Sequence, residues 1–227
     1  MSAPWRGLAA RLGPAPLLRV SGRVSRCVGL LAEARGLRAA VGERCTILRQ
    51  AGAPLAAEVV GFREGALLLL PFGDLAGVAP GDRVAAGGGP ARVGVGPEVL
   101  GRVLGPGGEP LDGRPAPRAE RLLPLRRPAP PAMGRRRITA PLPTGVRVID
   151  GLLTCGRGQR LGIFAGSGVG KSTLLGMIAR ATAADVNVIA LIGERGREVQ
   201  EFLQGDLGAA GLARSVVVVA TSDLPSL

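Results

Sequence analysis

The spacing of hydrophobic positions changes along the chain and divides it into segments with different predicted structure. Between residues 20 and 87, short apolar runs alternate with turns that contain Gly or Pro. Strands are predicted in this segment at residues 23–32, 45–49, 57–62, 67–71 and 83–86. Short strands at regular spacing are typical of a small β-barrel or sandwich. We therefore predict an N-terminal β-barrel over residues 20–87.

Residues 88–143 have a different pattern, because Gly, Pro and Arg are frequent and apolar runs are short. One strand is predicted in this stretch, at residues 99–104. The prolines within residues 122–137 exclude a regular helix. We interpret 88–143 as a connector. Residues 1–19 are interpreted as a tail, in which the alternatives are a short amphipathic helix and a frayed terminus.

From residue 144 to residue 227 the apolar pattern alternates between strand and helix. Strands are predicted at residues 159–165, 186–192 and 215–220, and helices at residues 172–183 and 197–207. The strand at 186–192 is continuously apolar, as expected when both faces of a parallel sheet are covered. A β-α-β-α-β order predicts an α/β domain with a parallel sheet and right-handed crossovers.

Composition and charge exclude some classes of protein. The chain carries a net charge of +12, and 2% of its residues are aromatic. A basic segment binds nucleic acid or anionic membrane, or is a solvated linker. Base-stacking platforms need aromatic side chains, so specific nucleic-acid binding is not expected. No apolar run reaches membrane-spanning length, and no secretory signal is recognisable.

The titratable and metal-binding residue types are unevenly used. The sequence has no histidine and three widely spaced cysteines, Cys27, Cys45 and Cys155. We therefore expect reduced, buried thiols and no zinc site. Of the 29 basic residues, Lys171 is the single lysine. A compact ammonium is thus used at one position, where a phosphate contact is expected.

Residues 165–172 read Ala-Gly-Ser-Gly-Val-Gly-Lys-Ser and match a phosphate-binding P-loop apart from the alanine in first position. The glycines allow backbone N–H groups to surround phosphates at the start of the next helix. Lys171 is expected to reach the β- and γ-phosphates, and the Ser172 hydroxyl to ligate Mg²⁺. The predicted cofactors are therefore ATP and Mg²⁺. The predicted nucleotide contacts are Ala165, Gly166, Ser167, Gly168, Val169, Gly170, Lys171, Ser172 and Thr173.

Acidic residues follow the second and third predicted strands of this domain. A carboxylate at the end of the neighbouring strand faces the crevice where phosphates lie, which makes Glu194 a candidate to orient and deprotonate water. The alternatives are that Glu194 caps the next helix or pairs with Arg197. Asp223 follows the third strand but lies beyond its apolar run, so it fits the position of a Mg²⁺-side aspartate poorly.

These motifs and their flanking residues resemble those of type III protein-export ATPases, which serve flagellar export and injectisome secretion. That family is similar to the catalytic β subunit of rotary ATP synthases. The matching runs are residues 144–160, 162–180, 190–202, 206–208 and 220–223. The resemblance implies a RecA-like P-loop core after the small β-barrel. It also implies that Lys171 contacts phosphate, Glu194 activates water and Arg195 lies near the γ-phosphate.

The resemblance further implies a homohexamer with ATP bound between subunits. Its expected partners are a stator-like regulator at the N-terminal segment, the export gate, and secreted substrates or chaperones. The expected location is cytoplasmic, peripheral at the inner face of the cytoplasmic membrane. Members are about twice as long as this chain, so we interpret it as an N-terminal half with an incomplete core, and expect negligible ATP hydrolysis from it alone.

Two other motors remain as alternatives. A rotary ATP synthase β-like subunit typically has Glu-Arg-Thr-Arg-Glu at the strand end, whereas Gly196 replaces the threonine here, which favours export. The barrel and the basic connector also fit a hexameric RNA-dependent motor, which the low aromatic content disfavours.

Overall fold

The computed structural model describes residues 20–166 and 168–222, and the chain divides into two compact units. One unit lies within Met1–Ala91 and the other within Arg92–Ser226. The predicted N-terminal helix, Ser167 and Asp223 lie outside the described residues. No helix in the described part is long and apolar enough to cross a membrane.

The first unit is a closed antiparallel barrel, as the alternating pattern predicted. Its strands, in the order β1-β2-β5-β4-β3-β6, close the sheet on itself, so no strand edge is left unpaired. The strands are β1 (Ser21–Val28), β2 (Leu31–Arg35), β3 (Glu43–Leu48), β4 (Leu55–Arg63), β5 (Ala66–Pro71) and β6 (Arg83–Pro90). The single strand predicted at 23–32 is wrong, because Gly29 turns the chain there with φ 59°, a conformation that glycine adopts readily.

Small aliphatic side chains fill the barrel. Ile47, Val59, Leu69 and Val84 are fully buried, and each comes from an alternating position of its strand. Branched side chains fill the narrow interior of a small barrel without aromatic residues. Cys45 is buried among them, and burial raises the pKa of its thiol to about 11.

The second unit contains a three-stranded parallel sheet. Its strand order is β10 (Asn187–Ile192), β11 (Ser215–Ala220) and β8 (Arg102–Leu104). Val216 of β11 pairs with Arg102, and Val188 of β10 pairs with Val216 on the other side. The parallel α/β core is therefore confirmed. Residues interpreted as connector supply β8 to this sheet, and they also form an antiparallel pair from β7 (Arg92–Val95) and β9 (Arg121–Pro124).

The helices of the second unit precede β10 or lie between β10 and β11, and they pack on one face of the sheet. They are α1 (Lys171–Ala181), α2 (Gly196–Glu201) and α3 (Gly208–Ala213), with π-helical segments Ile149–Leu153 and Phe202–Leu207. The helix predicted at 197–207 thus continues to residue 213. Phe202 and Leu207 are almost fully buried against Val217 and Ala179, which anchors the helical run to β11 and α1.

Two predictions about the strands of this sheet are wrong. Residues 159–165 form no strand, and Phe164 is 96% exposed. Apolar residues form a strand only beside a partner that satisfies their backbone groups, and among the described residues β10 pairs with β11 alone. The second wrong prediction is that both faces of the sheet are covered. Val188 and Ile192 of β10 are 76% and 74% exposed, so one face is open.

A buried ion pair fixes the loop that follows β8. The Arg102 guanidinium donates from Nε to Asp112 Oδ2 at 2.6 Å and from Nη2 to Oδ1 at 2.9 Å. The Arg102 side chain is 4% exposed and that of Asp112 is 13% exposed. This guanidinium and two backbone N–H groups hold the pKa of Asp112 well below its ordinary value. This bidentate contact attaches the loop to the strand.

Candidate nucleotide-phosphate site

The P-loop ends in the first turn of α1. Gly168 and Gly170 adopt left-handed φ values of 77° and 94°, which glycine reaches without a Cβ penalty. A Cβ at either position, or at Gly166, would meet no atom within 4 Å. The three glycines thus face open space. The first N–H groups of an α-helix lack partners within the helix and attract anions.

Lys171 and Glu194 form an ion pair at the junction of α1 and β10. The distance from Lys171 Nζ to Glu194 Oε1 is 3.3 Å, and the two side chains are 50% and 29% exposed. The P-loop lysine and the strand-end carboxylate therefore meet, although 22 residues separate them in the sequence. The geometry places the Lys171 ammonium beside the Glu194 carboxylate.

The turn after β10 holds the Glu194 backbone in place. Gly193 has φ 73°, and its N–H donates to the Ala220 carbonyl at 2.7 Å. The Ser222 N–H donates to the Glu194 carbonyl at 3.0 Å. The end of β11 thereby fixes the residue whose side chain contacts Lys171.

The alternative that Glu194 caps the next helix is wrong, because Glu198 performs that role. Glu198 Oε2 accepts a hydrogen bond from the Arg195 N–H at 3.3 Å at the start of α2. This hydrogen bond is the main cause that lowers the pKa of Glu198. Glu198 was not among the site residues predicted from the sequence. Its signal was a glutamate four positions after Glu194, in the first turn of a predicted helix.

The charged groups line a cavity of about 280 Å³. Ser172, Lys171, Glu194 and Glu198 contribute polar groups, and Leu161 and Ile163 contribute an apolar wall. Thr173 and Arg195 are exposed, and neither of them lines this cavity. The structure thus brings together the lysine, the serine and the glutamate from the predicted set. Their arrangement combines a cation, a hydroxyl and a carboxylate around one space.

The residues present fit a magnesium nucleotide. Within the described ranges, no three His, Cys, Asp or Glu side chains converge as a metal site. Magnesium in nucleotide sites keeps several waters and binds phosphate oxygens together with one or two protein groups. The Ser172 hydroxyl, which lines the cavity, is the type of ligand that a P-loop offers to Mg²⁺.

Comparisons with known proteins indicate which class of protein the chain is similar to. The family model described as ATP synthase alpha/beta family, nucleotide-binding domain, matches residues 145–227. The type 3 secretion system ATPase of Xanthomonas euvesicatoria is 54% identical over 207 residues, which are 91% of this chain and 47% of the relative. The chain is a homologue of the type III protein-export ATPases. The flagellum-specific ATP synthase of Bacillus subtilis (strain 168) is 52% identical over 208 residues, which are 91% of this chain and 48% of that relative.

Solved structures of type III secretion ATPases share the fold. The ATPase EscN of enteropathogenic E. coli, in complex with its central stalk EscO, superposes with a TM-score of 0.80 at 42% identity. That match covers 90% of this chain and 50% of the EscN chain. This chain thus spans about half the length of the curated relatives and solved structures that it matches. The predicted fold class, a β-barrel followed by an incomplete P-loop core, is confirmed.

Proposed function

We propose that this chain supplies the phosphate-binding part of an ATP site in a protein-export motor subunit. The observation that carries the proposal is the meeting of Lys171 Nζ and Glu194 Oε1 at 3.3 Å on one cavity. The names of the relatives support the class of motor. The cofactors of this site are ATP and Mg²⁺.

The proposed binding step exchanges the partner of Lys171. In the structure the ammonium contacts the Glu194 carboxylate, and a phosphate oxygen takes that place when ATP binds. The glycine backbone and the N-terminus of α1 contribute N–H groups to the same phosphates. Mg²⁺ held by the Ser172 hydroxyl would supply positive charge to the phosphate oxygens. The exchange releases Glu194 from its ion pair at the moment when the substrate arrives.

The proposed chemical step then uses the released carboxylate. Glu194 orients a water molecule toward the γ-phosphate and accepts its proton. Its backbone, fixed by Gly193 and Ser222, keeps the carboxylate near the phosphate end of the cavity. Arg195 lies next in sequence, and we assign it to the neighbourhood of the γ-phosphate. Its side chain is exposed.

We extend the proposal to the complete motor on the basis of its relatives. EscN was solved in an assembled form and with its central stalk EscO. We propose a homohexamer with ATP between subunits, at the inner face of the cytoplasmic membrane. Its partners would be a stator-like regulator, the export gate and secreted substrates or chaperones.

A titration of the chain with MgATP tests the proposal. A charge-assisted hydrogen bond contributes about 1.5–3 kcal/mol, so Lys171→Gln is expected to weaken binding about 10- to 150-fold. The matched control is Arg180→Gln, which removes one positive charge at the other end of α1 and is expected to change the Kd less than about twofold. Equal losses in both variants would show that net charge, not the P-loop contact, governs binding.

A further inference from the structure

The Glu198 carboxylate contacts the residue that directly follows Glu194. It accepts the Arg195 backbone N–H at 3.3 Å, and it lines the same cavity as Lys171 and Glu194. Four hydrogen bonds therefore restrain the turn. Two of them join backbone groups to the end of β11. The other two join Arg195 to α2: the Val199 N–H donates to the Arg195 carbonyl at 3.1 Å, and the Glu198 side chain accepts from the Arg195 N–H.

The charges around Glu198 favour a division of roles between the two glutamates. The hydrogen bond from the Arg195 N–H is the main cause that lowers the pKa of Glu198, followed by its contact with the Glu194 side chain and by the charges of Arg195 and Lys171. Glu198 is therefore the carboxylate committed to a backbone donor. Glu194 is the carboxylate that reaches the ammonium.

We propose that Glu198 is a positioning residue that holds the turn so that Glu194 meets Lys171. The inference rests on the proposed function, because it concerns the same site. Without the Glu198 acceptor, the Arg195 N–H loses its partner at the helix start, and the turn gains freedom around Gly193. The Glu194 carboxylate would then spend less time on Lys171. The role depends on a hydrogen-bond acceptor at position 198 rather than on its negative charge.

The single lysine allows this contact to be measured directly. An amine-acetylating reagent modifies Lys171 and the N-terminal amine, and mass spectrometry follows the two rates separately. The Glu194 carboxylate holds the ammonium in an ion pair at 3.3 Å, and this contact must open before the reagent reaches Nζ. Glu194→Gln is therefore expected to accelerate Lys171 acetylation about 1.5- to 5-fold, the range for an exposed ion pair. Glu198→Ala is expected to give the same acceleration.

Rescue and coupling separate positioning from a general charge effect. Glu198→Gln keeps an oxygen acceptor for the Arg195 N–H, so its Lys171 rate is expected to equal that of the wild type. The double variant Glu194→Gln with Glu198→Ala is expected to react no faster than Glu194→Gln alone. Glu201→Gln, which removes a charge from the exposed last position of α2, should leave the rate unchanged, and the N-terminal amine gives the internal reference.

Each opposite result overturns the inference. Equal acceleration by Glu198→Gln and Glu198→Ala would show that the charge acts. A faster double variant would show that Glu198 acts on Lys171 directly. A wild-type rate in Glu198→Ala, with circular dichroism confirming a folded chain, would show that Glu198 positions nothing. The assay contains no nucleotide, so its failure is separate from a failure of ATP to bind, which the MgATP titration detects.

Discussion

Gly176 lies where α1 crosses the π-helical segment Phe202–Leu207, and the backbone of that segment leaves no space for a side chain. A Cβ at Gly176 would lie 2.7 Å from the Asp206 carbonyl oxygen and 2.7 Å from its Cβ. Ordinary contacts between such atoms are about 3.5–4.0 Å. Gly176→Ala therefore requires α1 or the segment to move by about 1 Å. Since α1 begins at Lys171, the displacement also reaches the phosphate site.

The magnitude follows from comparison with a second glycine. Overpacking of this kind costs about 1–3 kcal/mol, whereas alanine in place of glycine in a helix stabilises by about 1 kcal/mol. Gly205, in the same segment, has no atom within 4 Å of an added Cβ. Gly205→Ala carries the helix gain without the clash. We expect Gly176→Ala to be less stable than Gly205→Ala by about 1–3 kcal/mol.

Urea unfolding followed by circular dichroism at the helical band measures this difference. Within the described residues the α-helices all belong to the second unit, so the signal reports the domain that carries both glycines. A MgATP titration of the same proteins should show weaker binding for Gly176→Ala. Equal or greater stability of Gly176→Ala would refute the packing argument.

The remaining predictions concern acid stability, thiol reactivity and catalysis. Arg102 lowers the pKa of Asp112 in the folded chain. The ion pair therefore stabilises the fold above about pH 4, and this stabilisation declines as pH falls toward the pKa of the folded state. Asp112→Asn should lower the melting temperature at pH 7 and reduce its further decrease between about pH 4 and pH 2. Cys27 is exposed, contrary to the expected buried thiol, and should react with a thiol reagent in the folded chain, whereas Cys45, buried with a pKa of about 11, should react only in urea. In an assembled motor, Glu194→Gln should retain ATP binding and lose hydrolysis, and a loss of both would contradict its role as the base.

The fold was predictable where short-range pattern determines it. The barrel strands and the pair β10 and β11 have apolar patterns that local residues decide. The strand β8 was placed in the connector because its partner β11 lies more than 100 positions later, and three residues carry no periodicity. Residues 159–165 have a strand-like composition, yet strand formation depends on a neighbour that sequence pattern does not reveal.

The residues of the candidate site that belong to a recognisable motif could be predicted from the sequence. The glycines and Lys171 form a contiguous P-loop, and a carboxylate at a strand end identifies Glu194. Glu198 was missed because a glutamate in the first turn of a helix is an ordinary capping residue. Its proximity to Glu194 and to Lys171 arises only when α2, β10 and α1 pack together.

The central claim is that Lys171 binds the phosphates of ATP, and acetylation of this single lysine in the presence of nucleotide tests it most directly. Saturating MgATP or tripolyphosphate should slow Lys171 acetylation at least about tenfold, in proportion to a charge-assisted contact. Adenosine should have no effect, and the N-terminal amine should react at a constant rate. An unchanged Lys171 rate with MgATP, or equal protection by adenosine, would contradict the account.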